Sequence, residues 1–456
     1  MHLRSLLAAF VVLAISLCAH AQYTDMKALE ALGGPAEFAR RREVLANEAK
    51  TGFILLMAKV RLPEADHYRE DNDFYYFTGL QDPGAVMLMD VAAKRVMIFE
   101  PQQTDGNIRT FGRNLLSLPQ AERDKLGYPV VQPLTNFDGV LAGAVARNGG
   151  QDLWLRLGFG DKPDGARMEI ARDYATEYAH PLGDPTPGDR SALQRISQRF
   201  PAARLRDLTG FIDQMRNIKT PQEIDVLHKN GKLSAEGLRR AMAIAYPGIY
   251  EYEIEAMASY VFRVSGAQGI AYPAIVGASA NGNIWHYFFN RTKTVPDDLI
   301  VFDYAADLHH MTMDITRTFN VSGKFTPEQA KWYAVDLEAQ KAVIEMLRPG
   351  NTYAQAAEAG KKVFEKAGIG NQWRGFPGHT VGLATHDVVG TSGPILAGQV
   401  VTVEPIIEFN DKKMHFRIED TILITDKGPE ILSAGVPKEM AEVEKLVGSE
   451  AKKPKP

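Results

Sequence analysis

LIVFDYAADLHHMTMDITRTFNV, residues 299–321, decides how the second half of this chain is read. Two strand-like runs, LIVFDYA and MDITRTFNV, flank ADLHHMTM, a connection short enough for a hairpin. Side chains alternate along a strand, so Asp314, Thr316 and Thr318 share one face, and Ile315, Arg317 and Phe319 the other. A hairpin can bring Asp303 and Asp314 opposite each other on one face. Two carboxylates that close repel, and one stays protonated unless a cation lies between them. Taken alone, the pair fits a charged turn with two solvated aspartates equally well.

Three further stretches repeat the logic. VVTVEPII (400–407) and HFRIEDTILI (415–424) set Glu404 and Glu419 in apolar, strand-like runs, where a buried charge is costly without compensation. Arg417 lies two residues from Glu419, on the same face, where it can orient a ligand carboxylate or form a cross-strand salt bridge. GFPGHTVGL (375–383) places His379 in a loop whose Pro377, Gly378 and Gly382 permit a tight turn. Four carboxylates and one imidazole, Asp303, Asp314, His379, Glu404 and Glu419, form the donor set of two divalent cations sharing a site. His386 follows beside Asp387. His286, in NIWHYFFN (283–290), is ringed by aromatics, a setting commoner for a core histidine. His309 and His310 are assigned to an exposed hairpin tip.

A length of 456 residues suggests two domains. A 45% hydrophobic and 24% charged composition is that of a soluble globular protein, and the net charge of -4 argues against a nucleic-acid partner. Residues 1–21 read as a signal peptide: MHLRS, then the apolar LLAAFVVLAISL, then Ala19-His20-Ala21, with cleavage after Ala21 and export to the periplasm or medium. The only cysteine, Cys18, lies in that segment, so the mature chain has no thiol and no disulfide. No other segment is apolar enough to span a membrane.

The runs GFILLMAKV, GAVMLMDV, KRVMIFE and QDLWLRLGF read as strands mixed with helices at 35–50 and at RSALQRISQRF, an α/β domain over 22–206. Thr220-Pro221-Gln222-Glu223 is a capping box with Pro at the first helical position. Helices also fit 251–264, the stretch after Thr326, and 353–367. With strands around them, residues 207–456 form a second, α+β domain.

Several of these blocks together carry a resemblance. YREDNDFYYFTG, MRNIKTPQEI, VFDYAADLHHMTMDITRTFNVSGKFTPEQ, GHTVGLATHD, VTVEP and RIEDT occur in one order over nearly the whole mature chain. In that order they resemble the pita-bread metallopeptidases of the Xaa-Pro aminopeptidase (aminopeptidase P) and prolidase type. The resemblance implies a creatinase-like N-terminal domain and a pita-bread catalytic domain. It implies that Asp303 binds one metal and His379 and Glu404 the other, with Asp314 and Glu419 bridging. It implies that His286 and His386 face the substrate, that Arg417 supports the metal carboxylates, and that the chain forms a homodimer or homotetramer. The oxygen-rich set suits manganese, with zinc or cobalt as alternatives.

The activity implied is release of the N-terminal residue before proline, by a hydroxide shared between two cations about 3.5 Å apart, with Glu404 moving a proton to the leaving nitrogen. The alternative is a prolidase acting on Xaa-Pro dipeptides; a non-catalytic binding protein on the same fold would have lost ligands, and none is lost here. Ala305, Gly375, Ala384, Ile406 and Glu408 depart from the family pattern around the cleft and bear on specificity.

Overall fold

The computed structural model describes residues 23–60, 68–147, 151–183 and 188–451. Residues 1–21, expected to be a signal peptide and carrying Cys18, and the expected cleavage point lie outside the described residues. The chain divides into two compact units. One comprises the chain as far as Leu155 together with Gln194–Arg206, the other Arg156–Leu193 together with everything from Asp207. A single cut near residue 207 therefore misassigns Arg156–Leu193. Its ion pairs explain why it joins the second unit: Asp161 pairs with Arg167 and Arg216, and Arg167 with Asp213.

In the first unit, strands β1 (Phe53–Met57), β2 (Val86–Asp90), β3 (Arg95–Glu100), β4 (Val131–Pro133), β5 (Gln151–Leu155) and β6 (Ala203–Asp207) form one sheet. Its order is β4-β3-β2-β1-β5-β6, antiparallel at β1/β2 and β2/β3 and parallel at β3/β4 and β1/β5. Helix α1 (Gly34–Ala49) buries Phe38, Leu45, Ala46 and Ala49 at helical spacing. YREDNDFYYFTGL hides a helix the periodicity did not show, α2 (Asn72–Thr78). It is capped by Asp71, closed by Gly79 at φ 65°, and buried at every position. A helix buried all round has no polar face to set a period.

The second unit holds α3 (Arg167–Ala179), α4 (Pro221–Ala243), α5 (Glu251–Val264), α6 (Pro327–Glu345) and α7 (Tyr353–Lys366). The Thr220/Glu223 capping box closes α4, with Glu223 N donating to Thr220 Oγ1 (3.2 Å) and Thr220 N to Glu223 Oε2 (2.8 Å). Strands β7 (Gly269–Ile270), β8 (Ile275–Ala278), β9 (Leu299–Asp303), β10 (Ala306–Asp307) and β11 (Thr316–Asn320) precede α6. After α7 come β12 (Val400–Val403), β13 (Ile406–Phe409), β14 (Met414–Arg417), β15 (Asp420–Thr425) and β16 (Gly428–Ile431). They pair as β11-β9-β8, β12-β15-β16, β13-β14 and β10-β7. Trp332, Tyr333 and Leu337 of α6 and Phe364 of α7 pack on Ile407, Phe416 and Ile418. Val343, Tyr353 and Ala356 pack on Val401, Val403, Ile422 and Ile424. These helices stiffen the strands whose ends carry the acidic residues.

The register corrects the hairpin expectation. Asp303 pairs with Thr316, not Asp314, because β11 begins only at Thr316. Glu404 follows the end of β12, and Glu419 lies between β14 and β15. Three of the four carboxylates thus sit where strand pairing breaks, which frees the chain to turn them towards one point. The alternation of faces holds: Thr316 and Thr318 reach Glu419 and the Arg417 carbonyl, while Arg317 turns to Asp420. His309 and His310 do form a turn, at φ 52° and 65°, but His310 is buried rather than exposed.

Candidate metal centre and its cleft

Asp303, Asp314, His379, Glu404 and Glu419 converge. Asp303, Asp314 and Glu419 offer oxygens within 4.8 Å of one another, as do the ligand atoms of His379, Glu404 and Glu419, and of Asp314, His379 and His386. The three groups overlap through Asp314, His379 and Glu419. His379 Nε2 lies 3.4 Å from Asp314 Oδ2 and 3.3 Å from Glu404 Oε1. Its loop is stitched to β12: Thr402 N donates to the His379 carbonyl (2.8 Å), and Glu404 N to that of Pro377 (2.9 Å). At Gly378 a Cβ would meet the Thr402 carbonyl oxygen at 2.2 Å, so this approach needs glycine.

Arg417 Nη2 donates to Asp303 Oδ2 at 2.8 Å and is itself buried. Tyr272, which the sequence reading missed, places its hydroxyl 2.6 Å from both Asp303 Oδ1 and Asp314 Oδ1. One hydroxyl hydrogen cannot serve two anionic oxygens at once. Thr316 Oγ1 donates to Glu419 Oε2 (2.6 Å), whereas Glu419 Oε1 is buried without a hydrogen-bond partner.

Burial pushes Asp303 and Glu419 well above the usual carboxylate range, and neighbouring carboxylates add to the rise. Burial opposes ionisation of Asp314 and Glu404 too, but hydrogen bonds and charge from His379 hold both below it. His379 is raised in return: burial disfavours its charge, and the bonds to Asp314 and Glu404 outweigh that. A set of acids with one orphaned buried oxygen and two members whose ionisation burial opposes fits divalent cations, whose charge removes the conflict.

A cleft of 340 Å³ opens beside these groups, bounded by His286, His386, Glu404, Arg417 and Trp285 among others. His286 is exposed rather than in the core and stacks on Phe288, ring centroids 5.8 Å apart. His386 is half-buried, with its ring centroid 3.9 Å from that of His379. Of the positions that depart from the family pattern, Gly375, Ile406 and Glu408 line the cleft, while Ala305 and Ala384 are fully buried. Glu408 is tied down by Arg374 Nη2 (2.6 Å) and Trp285 Nε1 (3.1 Å). Gly375 takes φ 106° with open space where a side chain would point.

Glu169 and Arg172 of α3 also reach the cleft, and nothing in their sequence neighbourhood announced it. Glu169 Oε1 is 2.6 Å from His386 Nδ1 across 217 positions of chain. Burial would raise Glu169, but the bond to His386 and its charge bring it down to about 2. Behind this contact lies a buried ionic cluster. Arg216 Nη2 sits 2.6 Å from both Asp161 Oδ2 and Asp387 Oδ1, and Lys219 Nζ 3.2 Å from Asp387 Oδ2.

Sequence models of two families match the chain: "Metallopeptidase family M24" over residues 225–426 and "Aminopeptidase P, N-terminal domain" over 38–154. The chain is 30% identical to the Xaa-Pro aminopeptidase of Escherichia coli over 90% of its length and 97% of the relative's. It is 28% identical to that of Haemophilus influenzae, over 90% and 96%. Its fold is similar to a solved structure of E. coli aminopeptidase P with the inhibitor Pro-Leu. That match has a TM-score of 0.75 and 28% identity over 91% of this chain and 98% of that one.

Proposed function

The chain belongs to metallopeptidase family M24, and from that premise we propose that it is an Xaa-Pro aminopeptidase using two divalent cations, manganese by preference. The observation that carries this is the convergence of the ligand groups: Glu419 lies with Asp303 and Asp314 on one side and with His379 and Glu404 on the other, and Asp314 Oδ2 is also 3.4 Å from His379 Nε2, the placement expected of two bridging carboxylates. Asp303 would hold one cation, His379 and Glu404 the other. When bound, such a pair supplies a polarised scissile carbonyl and a water acidic enough to act near neutral pH.

The chain's own residues do the rest. Arg417 and Tyr272 fix the Asp303 carboxylate, and Arg417 keeps negative charge in place on that side. Glu404, beside the cleft, takes a proton from the attacking water and returns it to the leaving proline nitrogen, which lacks a hydrogen of its own. His386 and His286 donate towards the carbonyl oxygen as charge develops on it. Trp285, Ile406 and Phe376 give the cleft an apolar wall suited to a proline ring.

Export with loss of residues 1–21 is part of the proposal and rests on the amino-terminal sequence alone. So is assembly into a homodimer or homotetramer. The second reading, a prolidase, shares the metal site and differs in whether the cleft admits chain beyond proline. A panel of Xaa-Pro against Xaa-Pro-Yaa peptides tests the choice. Faster cleavage of the longer peptides supports the aminopeptidase; a marked preference for dipeptides replaces it with the prolidase.

A further inference from the structure

We propose that Glu169 is a positioning residue for His386, fixing the ring and the proton on Nδ1 so that Nε2 is presented to the cleft. The part of this that concerns turnover rests on the peptidase reading above. The geometry is specific. Glu169 Oε1 lies 2.6 Å from His386 Nδ1, while Glu169 Oε2 accepts from the Ala166 backbone N–H at 2.9 Å. One oxygen is thus locked by the first turn of α3, and the other is aimed at the imidazole. The helix is itself anchored: Arg167 Nε donates to Asp213 Oδ1 (2.9 Å), and Thr385 N, one residue before His386, donates to the Pro163 carbonyl (2.7 Å). Asp387, one residue after it, is gripped by Arg216 and Lys219. Both sides of the contact are therefore held by bonds outside it.

A carboxylate on one imidazole nitrogen decides which tautomer the ring adopts and fixes the direction in which the other nitrogen points. The same arrangement of base plus orienting acid recurs wherever a histidine must act from a fixed direction. His386 has His379 against its other face, with ring centroids 3.9 Å apart, so a ring free to rotate would disturb its neighbour. Glu169 does not touch the reacting atoms. Its effect passes through His386.

The test compares Glu169→Ala and Glu169→Gln with wild type on an Xaa-Pro-Yaa peptide, in native and in His386→Ala backgrounds. Removing a partner of this kind lowers kcat roughly 10- to 100-fold, with KM changed less than about threefold. Gln, which keeps an acceptor but not the charge, falls between. In the His386→Ala background the same change has less than about a twofold effect, because nothing remains to be positioned. A purely structural role gives equal losses in both backgrounds, and that result overturns the proposal, as does native-background activity within twofold of wild type. Should Glu169→Ala fail to fold, the near-isosteric Glu169→Gln carries the same cycle. Proton NMR in water gives a readout independent of turnover. A downfield imidazole N–H resonance is present in wild type and absent in Glu169→Ala or Glu169→Gln, and in His386→Ala. Its absence from wild type overturns the proposal. Its presence in a chain that cleaves no Xaa-Pro-Yaa peptide overturns the peptidase reading and leaves the Glu169–His386 contact standing.

Discussion

Replacing Asp387 by Asn tests whether the buried ionic cluster holds the wall of the cleft. Asp387 accepts from Arg216 at 2.6 Å, from Lys219 at 3.2 Å and from its neighbour Val388 N at 3.0 Å. The side chains of Arg216, Lys219 and Asp387 are 1%, 2% and 3% exposed, so water cannot take over. At an effective dielectric constant of about 20, a pair 3.2 Å apart is worth roughly 5 kcal/mol before desolvation is subtracted. Breaking such a pair from one side costs about 3–5 kcal/mol, most of it from the charge left behind. Lys219 is that charge, since Arg216 keeps Asp161 at 2.6 Å. Asp387→Asn should therefore lower unfolding free energy by about 3–5 kcal/mol in urea titrations. Adding Lys219→Met should return at least about 2 kcal/mol of it, because an apolar replacement of a buried pair is close to neutral. Raising salt from 0.05 to about 0.5 M should leave the loss unchanged, since buried pairs are poorly screened. A loss below about 1 kcal/mol for Asp387→Asn, or strict additivity with Lys219→Met, would show that no buried charge is stranded at Lys219.

Other consequences can be measured alongside it. Asp314→Ala removes a ligand shared by two of the three groups; bound metal measured by mass spectrometry should fall below one ion per chain and peptidase activity by more than about a thousandfold, whereas full activity would sink the shared-ligand account. Burial raises Glu70 from 4.5 to about 8 despite its bonds to Tyr68, Lys59 N and Asp71 N. A pKa raised by folding gives stability that is complete below pH 4.5 and drains away as pH rises towards 8. Glu70→Gln should therefore gain on wild type by roughly 3 kcal/mol between pH 4.5 and 7 in denaturant titrations; parallel curves would contradict the assignment. Gly360→Ala drives a Cβ to 2.3 Å from Trp373 Cη2 and 2.7 Å from Val343 Cγ2, which should cost about 1–3 kcal/mol in thermal melts, with an unchanged melt as the contrary result.

How much of this was legible beforehand depends on where each residue's signal lies. Thr220 and Thr326 announce their helices because a cap is a local bargain between a side chain and its own first turn. The acidic residues could be read because a charge in an apolar run has few explanations. Their exact setting could not: a strand's alternation does not say where pairing stops, and Asp314, Glu404 and Glu419 lie just beyond those stops. Tyr272 and Glu169 were invisible for another reason. Tyr272 is one more aromatic beside an apolar strand, and Glu169 looks like an ordinary first-turn acid of an exposed helix. Their roles exist only through partners 31 to 217 positions away. Within its own helix Glu169 does no more than accept from the Ala166 N–H, which accounts for only one of its two oxygens.

Five convergent side chains would hold the metal pair on which the proposed peptide cleavage depends. Purified protein stripped with a chelator, then titrated with manganese while Xaa-Pro-Yaa hydrolysis and bound metal are followed together, tests it most directly. Activity is expected to vanish on stripping and to return in step with metal, saturating at two ions per chain. Hydrolysis that survives complete metal removal, or that saturates with one ion bound, would contradict it.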